Sequence, residues 1–494
     1  MKTIRPRHGR GKRRRPTRVS RVLHRPSPRH RSQRHARACA RTPFRRRDAE
    51  IPGRRSTLGL AAGQGGVRKA GFIVLLGSGL GTGIGLLATP FISRIFEPAV
   101  YGSFALITGV VSVFVGISTF RLEVQSLSVA DDAEATALIR LGLVASCAWG
   151  AALTLAACVA VAIWDVNGYW LSTGILVFLA SLQLLGSAVL TRARRYRSLA
   201  TANFVQGASL GVVQLLLGLA SAGVGSLLAG FGAARLGWLH ALRHSQHEMP
   251  RIATLWKKNW RFAAVAGSSA FLNSLTSALP VLLTSTFYGD ATVGQLAIAT
   301  RILLTPLGIV SQSAASANIG EVGRMLRRGD AAAAQLVRHG MRDLFAIGLI
   351  PCSLAGVLGT WAVPFVLGKR WNEAGLLLSV LAVGTLAQFV AAPFSQLLNM
   401  TGNSRWQLMW DTARFCVTVL SLCLAWALGL SPVWAIGSWS VALVVVYAAL
   451  VHLTIRAVVT YPRHAVTIRQ ELQGNQLTAR RGNPISLDTR RPVR

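Results

Sequence analysis

Acidic residues are scarce in this chain: 17 Asp and Glu stand against 54 Lys and Arg over 494 residues. Charge of either sign is thin, at 14%, where a soluble protein carries about 25%. So little charge cannot solvate a globular surface of this length, which excludes a soluble fold. No Gly-x-x-x-x-Gly-Lys-Ser/Thr phosphate loop occurs, which excludes a P-loop ATPase. The six cysteines have no metal-ligand spacing, and five of them (Cys147, Cys158, Cys352, Cys416 and Cys423) lie inside apolar runs. They read as small core hydrophobes, with no disulfide framework, no metal set and no cofactor motif. Long connections are missing too. A membrane glycosyltransferase or polysaccharide polymerase would carry a sizeable loop or a carboxylate cluster at the membrane face, and neither is present.

What the chain has instead is apolar length. It is 51% hydrophobic, with a mean hydropathy of +0.43. Twelve runs are long enough to cross a bilayer core as helices, at about 20 residues each. They fall near 70–95, 101–127, 138–164, 171–191, 200–220, 223–242, 262–287, 292–316, 343–367, 374–400, 407–429 and 432–456. The fold class is therefore all-α and polytopic. Residues 71–127 set the pattern: two apolar runs flank a tight turn at 96–102, so they form a hairpin. Arg94 and Glu97 sit near one end, while Arg121 and Glu123 interrupt the second run near the other. An ion there is costly unless it faces protein or water, so the hairpin has an apolar outside and a polar inside.

The basic excess is uneven. Residues 1–69 hold 23 Lys and Arg and only two acids, Asp48 and Glu50. Rich in Arg, Pro, His, Ser and Gly, this stretch buries too little apolar surface to order itself. Three readings stand: clusters such as Arg13-Arg14-Arg15 bind nucleic acid or anionic lipid, the tail only enforces topology, or translation starts downstream. Nucleic-acid binding is the least favoured, and no signal peptide or twin-arginine pattern follows the basic region.

Lys and Arg also set the orientation. With the N-terminus inside, the inside connections carry Arg192, Arg194, Arg195 and Arg197; Arg243, Arg251, Lys257, Lys258 and Arg261; and Arg324, Arg327, Arg328, Arg338 and Arg342. The outside connections are nearly free of base, apart from Lys369 and Arg370. Both termini are then cytoplasmic. An internal repeat is also visible. Gly102-Ser103-Phe104-Ala105-Leu106-Ile107-Thr108 and Gly294-Gln295-Leu296-Ala297-Ile298-Ala299-Thr300 share one pattern, 192 residues apart. Six spans per half keep both halves in one orientation, so the halves are parallel repeats with a site between them near the midplane.

The segment Pro90-Phe91-Ile92-Ser93-Arg94-Ile95-Phe96-Glu97-Pro98-Ala99-Val100-Tyr101-Gly102 resembles the Arg-x-x-x-Pro-x-x-Tyr-Gly signature of bacterial polysaccharide-repeat-unit flippases. These are O-antigen-type transporters of the multidrug/oligosaccharidyl-lipid/polysaccharide exporter superfamily. Arg121-Leu122-Glu123 matches the polar step late in their second helix. Phe271 to Pro280, Tyr288-Gly289, Val293 to Arg301, Trp371-Asn372-Glu373-Ala374-Gly375 and Ala392-Pro393-Phe394-Ser395 fit the second half. The resemblance covers about residues 70–460. It implies two six-helix lobes (70–242 and 262–456) joined by a basic linker (243–261), between tails 1–69 and 457–494. It implies a multi-pass protein of the cytoplasmic membrane that flips undecaprenyl-pyrophosphate-linked oligosaccharide, without covalent chemistry. Membrane lipids are partners, and polysaccharide polymerase and chain-length proteins are candidate partners. A small-molecule exporter of the same superfamily is the nearest alternative.

Such a substrate brings an anionic pyrophosphate and many hydroxyls, and an isolated ion in hydrocarbon costs tens of kcal/mol. The cationic candidates for the path are Arg301, Arg121, Arg140, Arg235 and Arg414, since a guanidinium fork matches phosphate oxygens. Arg301 stands out because its repeat counterpart is Gly109, so one half alone carries the charge. Asn273, Gln312, Gln388 and Asn203, with Gln206 and Gln396, could bond sugar hydroxyls or serve as glue between helices. Glu123 and Asp411 are the candidate coupling acids. Each also has an arginine near it, so Arg121–Glu123 and Asp411–Arg414 could be structural pairs. Arg140 and Arg235 could reach to the headgroups.

Overall fold

In a computed structural model of the chain, the described residues are 55–242, 252–328, 330 and 332–480. Residues 1–60 make a unit of their own, of which 55–60 are described and helical. Residues 61–494 make the second unit. The expectations for residues 1–54, for linker residues 243–251 and for 481–494 lie outside the described residues.

Among the described residues the regular structure is helical, and eleven helices are long and apolar enough to span a bilayer. The first five are Gly71–Ile95, Pro98–Ser118, Asp132–Trp164, Gly168–Arg192 and Tyr196–Ala220. A second group runs Thr254–Tyr288, Asp290–Ser311, Ala333–Leu367, Lys369–Met400, Arg405–Ala427 and Pro432–Tyr461. The sixth apolar run of the sequence is also helical but divided at Gly237, into Val224–Leu236 and Trp238–Leu242. Neither piece alone reaches the length of a span. The spans are numbered here one to twelve in chain order, with this divided helix as the sixth. The seventh helix begins at Ile252, so residues 252–261 of the expected linker continue that span as helix.

Exposed aromatic side chains mark two levels. Trp256, Trp260 and Trp406 lie at the end that carries Arg192–Arg197 and Lys257–Arg261, here called the basic end; Trp164, Trp361, Trp426 and Trp434 lie at the other. Two such belts are what a bilayer's interfaces select. Between them, exposed Leu, Val, Ile and Phe side chains face outward along most spans.

Two spans break where the sequence carries polar or ring-constrained residues. The first bends at Ala88, because Pro90 cannot donate to the preceding turn and instead opens the short helix Thr89–Ile95. The second ends at Ser118; Phe120 and Arg121 both take left-handed backbone angles (φ 50° and 58°) before the short helix Leu122–Ser126. That conformation is costly for non-glycine residues, so neighbours must hold it.

The second and eighth spans cross at the end opposite the basic one. A Cβ on Gly102 would run into the carbonyl oxygen of Asp290, and one on Gly294 into that of Pro98. Gly102 and Gly294 are 192 residues apart, and so are Pro98 and Asp290. The contact is therefore reciprocal under the repeat shift, as a two-fold relation between the two helices requires. Ser103 Oγ donates to Asp290 Oδ2 across the same crossing (2.7 Å). Around it, fully buried Trp371 donates to the Ser93 carbonyl (2.7 Å) and takes the Tyr101 ring edge-on at 6.0 Å. Gln295 bridges the Arg370 carbonyl (2.7 Å) and the Ala374 amide (2.9 Å). The signature segments around Tyr101 and Trp371 thus tie spans one, two, eight and ten together at this end.

Candidate functional site

A polar cavity of about 570 Å³ opens among spans two, seven, ten, eleven and twelve. Its polar lining is set by helix periodicity. Gln407, Asp411 and Arg414 fall at i, i+4 and i+7 of the eleventh span and so share one face. Asn273 and Ser269 do the same on the seventh. Gln388, Gln396 and Asn399 come from the tenth, where the helix is interrupted at Ala392–Phe394 and carboxamides are turned inward. Arg121 enters from the left-handed break of the second span, which is what aims an arginine out of an otherwise apolar helix.

The cavity holds two guanidinium groups, Arg121 and Arg414, against the one lining carboxylate of Asp411. Arg414 Nη2 donates to Asn273 Oδ1 (2.8 Å), and its guanidinium carbon lies 5.2 Å from the Trp410 ring centre. Trp410 is itself fixed by donation to the Val446 carbonyl (2.9 Å) and by the Tyr447 ring at 5.5 Å. Asp411 accepts from Gln407 (3.2 Å). Arg414 Nε and Gln407 Oε1 are buried without a hydrogen-bond partner among the described residues. Arg121 is 43% exposed and lies 3.8 Å from Glu123 Oε1. Glu123 takes its short bond from Thr119 instead (2.6 Å). Arg121 is therefore loosely paired and free to turn toward the cavity, whereas Glu123 is part of the helix break.

Of the residues singled out in the sequence, Arg121, Arg414, Asn273, Gln388, Gln396 and Asp411 converge here. Others do not. Arg301 bridges two other spans: Nη1 donates to the Tyr101 hydroxyl and Nη2 to the Gly85 carbonyl, each at 2.9 Å. Arg235 folds back on its own helix, donating to the Phe231 carbonyl (2.7 Å) with its guanidinium 3.5 Å over the Phe231 ring. Arg140 lies half-buried on the third span, away from the cavity lining. Asn203 donates to Ser78 (2.9 Å), and Gln206 links Gln183 and Trp238, so both join helices. The Gln312 side chain lies outside the described residues. Sequence reading missed Asn399, Gln407, Trp410 and Tyr447. The i, i+4, i+7 polar face of the eleventh span was the signal for Gln407.

A second, apolar cavity of about 590 Å³ runs between spans one, eight and nine, lined by Leu86, Pro90, Ile302, Pro306, Pro351 and Leu358 among others. The described residues hold no cluster of His, Cys, Asp and Glu able to ligate a metal.

The architecture is that of a multi-pass membrane protein. The polysaccharide biosynthesis protein family matches residues 91–375, more than half of the chain, and the protein belongs to that family. No curated protein matches the chain by sequence. Among solved structures, the lipid II flippase MurJ in an inward closed conformation is similar over 80% of this chain and 91% of its own (TM-score 0.62, 12% identity). A MATE transporter is similar over 80% and 97% (TM-score 0.55, 12% identity). A MOP superfamily transporter from Pyrococcus furiosus is similar over 80% and 96% (TM-score 0.51, 13% identity). At these identities the likeness is one of fold.

Proposed function

We propose that the protein flips a polyprenyl-diphosphate-linked oligosaccharide across the cytoplasmic membrane, with the 570 Å³ cavity receiving the headgroup. The observation that carries this reading is the meeting of Arg121 and Arg414 with five side-chain carboxamides in one cavity. Guanidinium groups suit phosphate oxygens, and carboxamides suit sugar hydroxyls as donor and acceptor at once. Arg414 Nε and Gln407 Oε1 are buried without partners, so both side chains have hydrogen-bonding capacity left over. An apolar drug would leave the guanidinium and carboxamide groups of the lining without partners, which is costly. Family membership and the fold shared with the lipid II flippase MurJ support the same cargo class.

In this reading both termini are cytoplasmic, by the distribution of Lys and Arg. The cavity then opens toward the cytoplasm, where Arg121, Phe262, Gln396 and Gln407 lie, and the crossing at Gly102 and Gly294 closes the outer side. Lobes 70–242 and 262–456 rock against each other to reverse that access. The polyprenyl tail stays in lipid. A membrane potential negative inside favours outward movement of the anion by about 2.3 kcal/mol per charge per 100 mV.

The apolar cavity between spans one, eight and nine favours a second reading, export of an apolar small molecule. The test separates the two. In a deletion strain, lipid-linked oligosaccharide accumulates on the cytoplasmic side and surface polysaccharide disappears, and the intact gene reverses both. Unchanged surface glycan with altered drug susceptibility sinks the flippase reading.

A further inference from the structure

The seventh helix is longer than its membrane span needs. Thr254–Tyr288 is 35 residues, or about 52 Å at 1.5 Å per residue. The hydrocarbon core of a bilayer is about 30 Å thick. The excess lies at the basic end, so residues 254–262 run through the headgroup layer. This segment reads Thr-Leu-Trp-Lys-Lys-Asn-Trp-Arg-Phe.

Its faces are sorted. Leu255 and Asn259 are buried against the protein. Asn259 meets Gln125 at 2.5 Å, Lys258 pairs with Glu134 at 2.6 Å, and the Trp256 ring stands 5.2 Å from Phe120. Trp256, at the edge of that side, and Trp260 form one exposed pair at i, i+4, and Lys257 and Arg261, away from it, form a second. Arg261 lies 5.6 Å from the Trp260 ring. Indole rings settle at the boundary between acyl chains and headgroups. An adjacent pair of cations at that depth meets lipid phosphates, and its charge complements anionic headgroups rather than zwitterionic ones.

We propose that the outward face of residues 256–261 is a binding surface for anionic phospholipid headgroups, with Lys257 and Arg261 on the phosphate and Trp256 and Trp260 on the acyl boundary. The protein side of the same turn is fastened to Phe120, Gln125 and Glu134. A lipid held there therefore steadies the break at Phe120–Arg121 that delivers Arg121 to the cavity. The surface needs only that the chain spans a bilayer, and it stands whatever the cargo is.

The test uses the full chain in vesicles of phosphatidylcholine with and without phosphatidylglycerol, one lipid or the other carrying brominated acyl chains. The readout is the part of the tryptophan quenching lost in Trp256→Phe/Trp260→Phe. In the wild type, brominated phosphatidylglycerol quenches this part at a lower mole fraction than brominated phosphatidylcholine does. Each of Lys257→Gln and Arg261→Gln weakens that preference about fivefold, from roughly 1 kcal/mol per surface cation, and the double variant removes it. Lys258→Gln, which removes an exposed charge already paired with Glu134, leaves most of the preference in place. Equal quenching by both lipids in the wild type overturns the proposal. So does a preference that survives the double variant, or one that Lys258→Gln lowers as much as Lys257→Gln does. If the double variant fails to insert, Lys257→Gln alone decides by its fivefold shift.

Discussion

Arg414 on the eleventh span and Asn273 on the seventh meet across the cavity, Nη2 to Oδ1 at 2.8 Å. The amide positions the guanidinium without neutralising it, and Arg414 Nε is left without a partner. Arg414→Ala is expected to lower flipping in vesicles by roughly 10- to 100-fold, the worth of a charge-assisted hydrogen bond of about 1.5–3 kcal/mol. Arg414→Lys restores the charge but not the planar fork, so it recovers only part. Wild-type flipping by Arg414→Ala, at equal protein abundance, would remove Arg414 from the path.

Asn273→Asp tests the same contact from the other side. A carboxylate at position 273 turns a positioning bond into an ion pair, and the anion must then compete for Arg414. Flipping is expected to fall while thermal stability holds or rises. Asn273→Ala, which leaves Arg414 charged but unheld, is expected to lose less. If the Asn273→Asp variant transports as well as the wild type, the cavity does not bind its cargo through this cation.

Arg301 binds Tyr101 and the Gly85 carbonyl, and so joins the eighth span to the second and the first. Its loss leaves the carbonyl of buried Gly85 and the hydroxyl of buried Tyr101 without their donor. Arg301→Ala is expected to cost about 1.5–3 kcal/mol of stability and Tyr101→Phe less. The two together cost less than their sum, because they share one bond. Thermal melting in detergent measures this. An Arg301→Ala protein that melts like wild type yet fails to transport would instead return Arg301 to the substrate path.

The hydrophobic runs made the helices legible, because a bilayer demands about 20 apolar residues wherever the chain crosses. The division of the sixth span was not legible. Gly237 sits in a run that stays apolar on both sides, and hydropathy does not register a break. The polar face of the eleventh span was readable from the spacing of Gln407, Asp411 and Arg414. Which arginine lines the cavity was not. The repeat favoured Arg301 over Arg414, and only packing shows that Arg301 reaches Tyr101 and Gly85 while Arg414 lines a cavity. For the same reason Asn203 and Gln206 could not be told from cavity residues until their partners Ser78, Gln183 and Trp238 were seen.

Those two amides carry a prediction of their own. Asn203→Ala and Gln206→Leu are expected to leave flipping close to wild type and to lower melting stability modestly, by about 0.6–1.7 kcal/mol, the range for hydrogen bonds between membrane helices. A large loss of transport at unchanged stability would place either residue on the substrate path.

Gly294 and Gly308 lie on one helix, Asp290–Arg328, and separate propensity from packing. Alanine is a better helix former than glycine by about 1 kcal/mol, so propensity alone favours substitution at both. At Gly308 nothing stands within 4 Å of an added Cβ, and Gly308→Ala is expected to be neutral or slightly stabilising. At Gly294 the Cβ meets the carbonyl of Pro98, which is backbone and cannot swing aside. Gly294→Ala must push the second and eighth spans apart, at a cost of about 1–3 kcal/mol for overpacking. The same displacement strains the Ser103–Asp290 bond. Because the crossing is reciprocal, Gly102→Ala should produce the same shift against Asp290. The double variant should cost less than twice either single, since the helices need part only once. Paired cysteines at Ser103 and Asp290 report the separation directly. Disulfide formation that is fast in the parent and slowed by Gly294→Ala follows from the packing, and equal rates in both would contradict it.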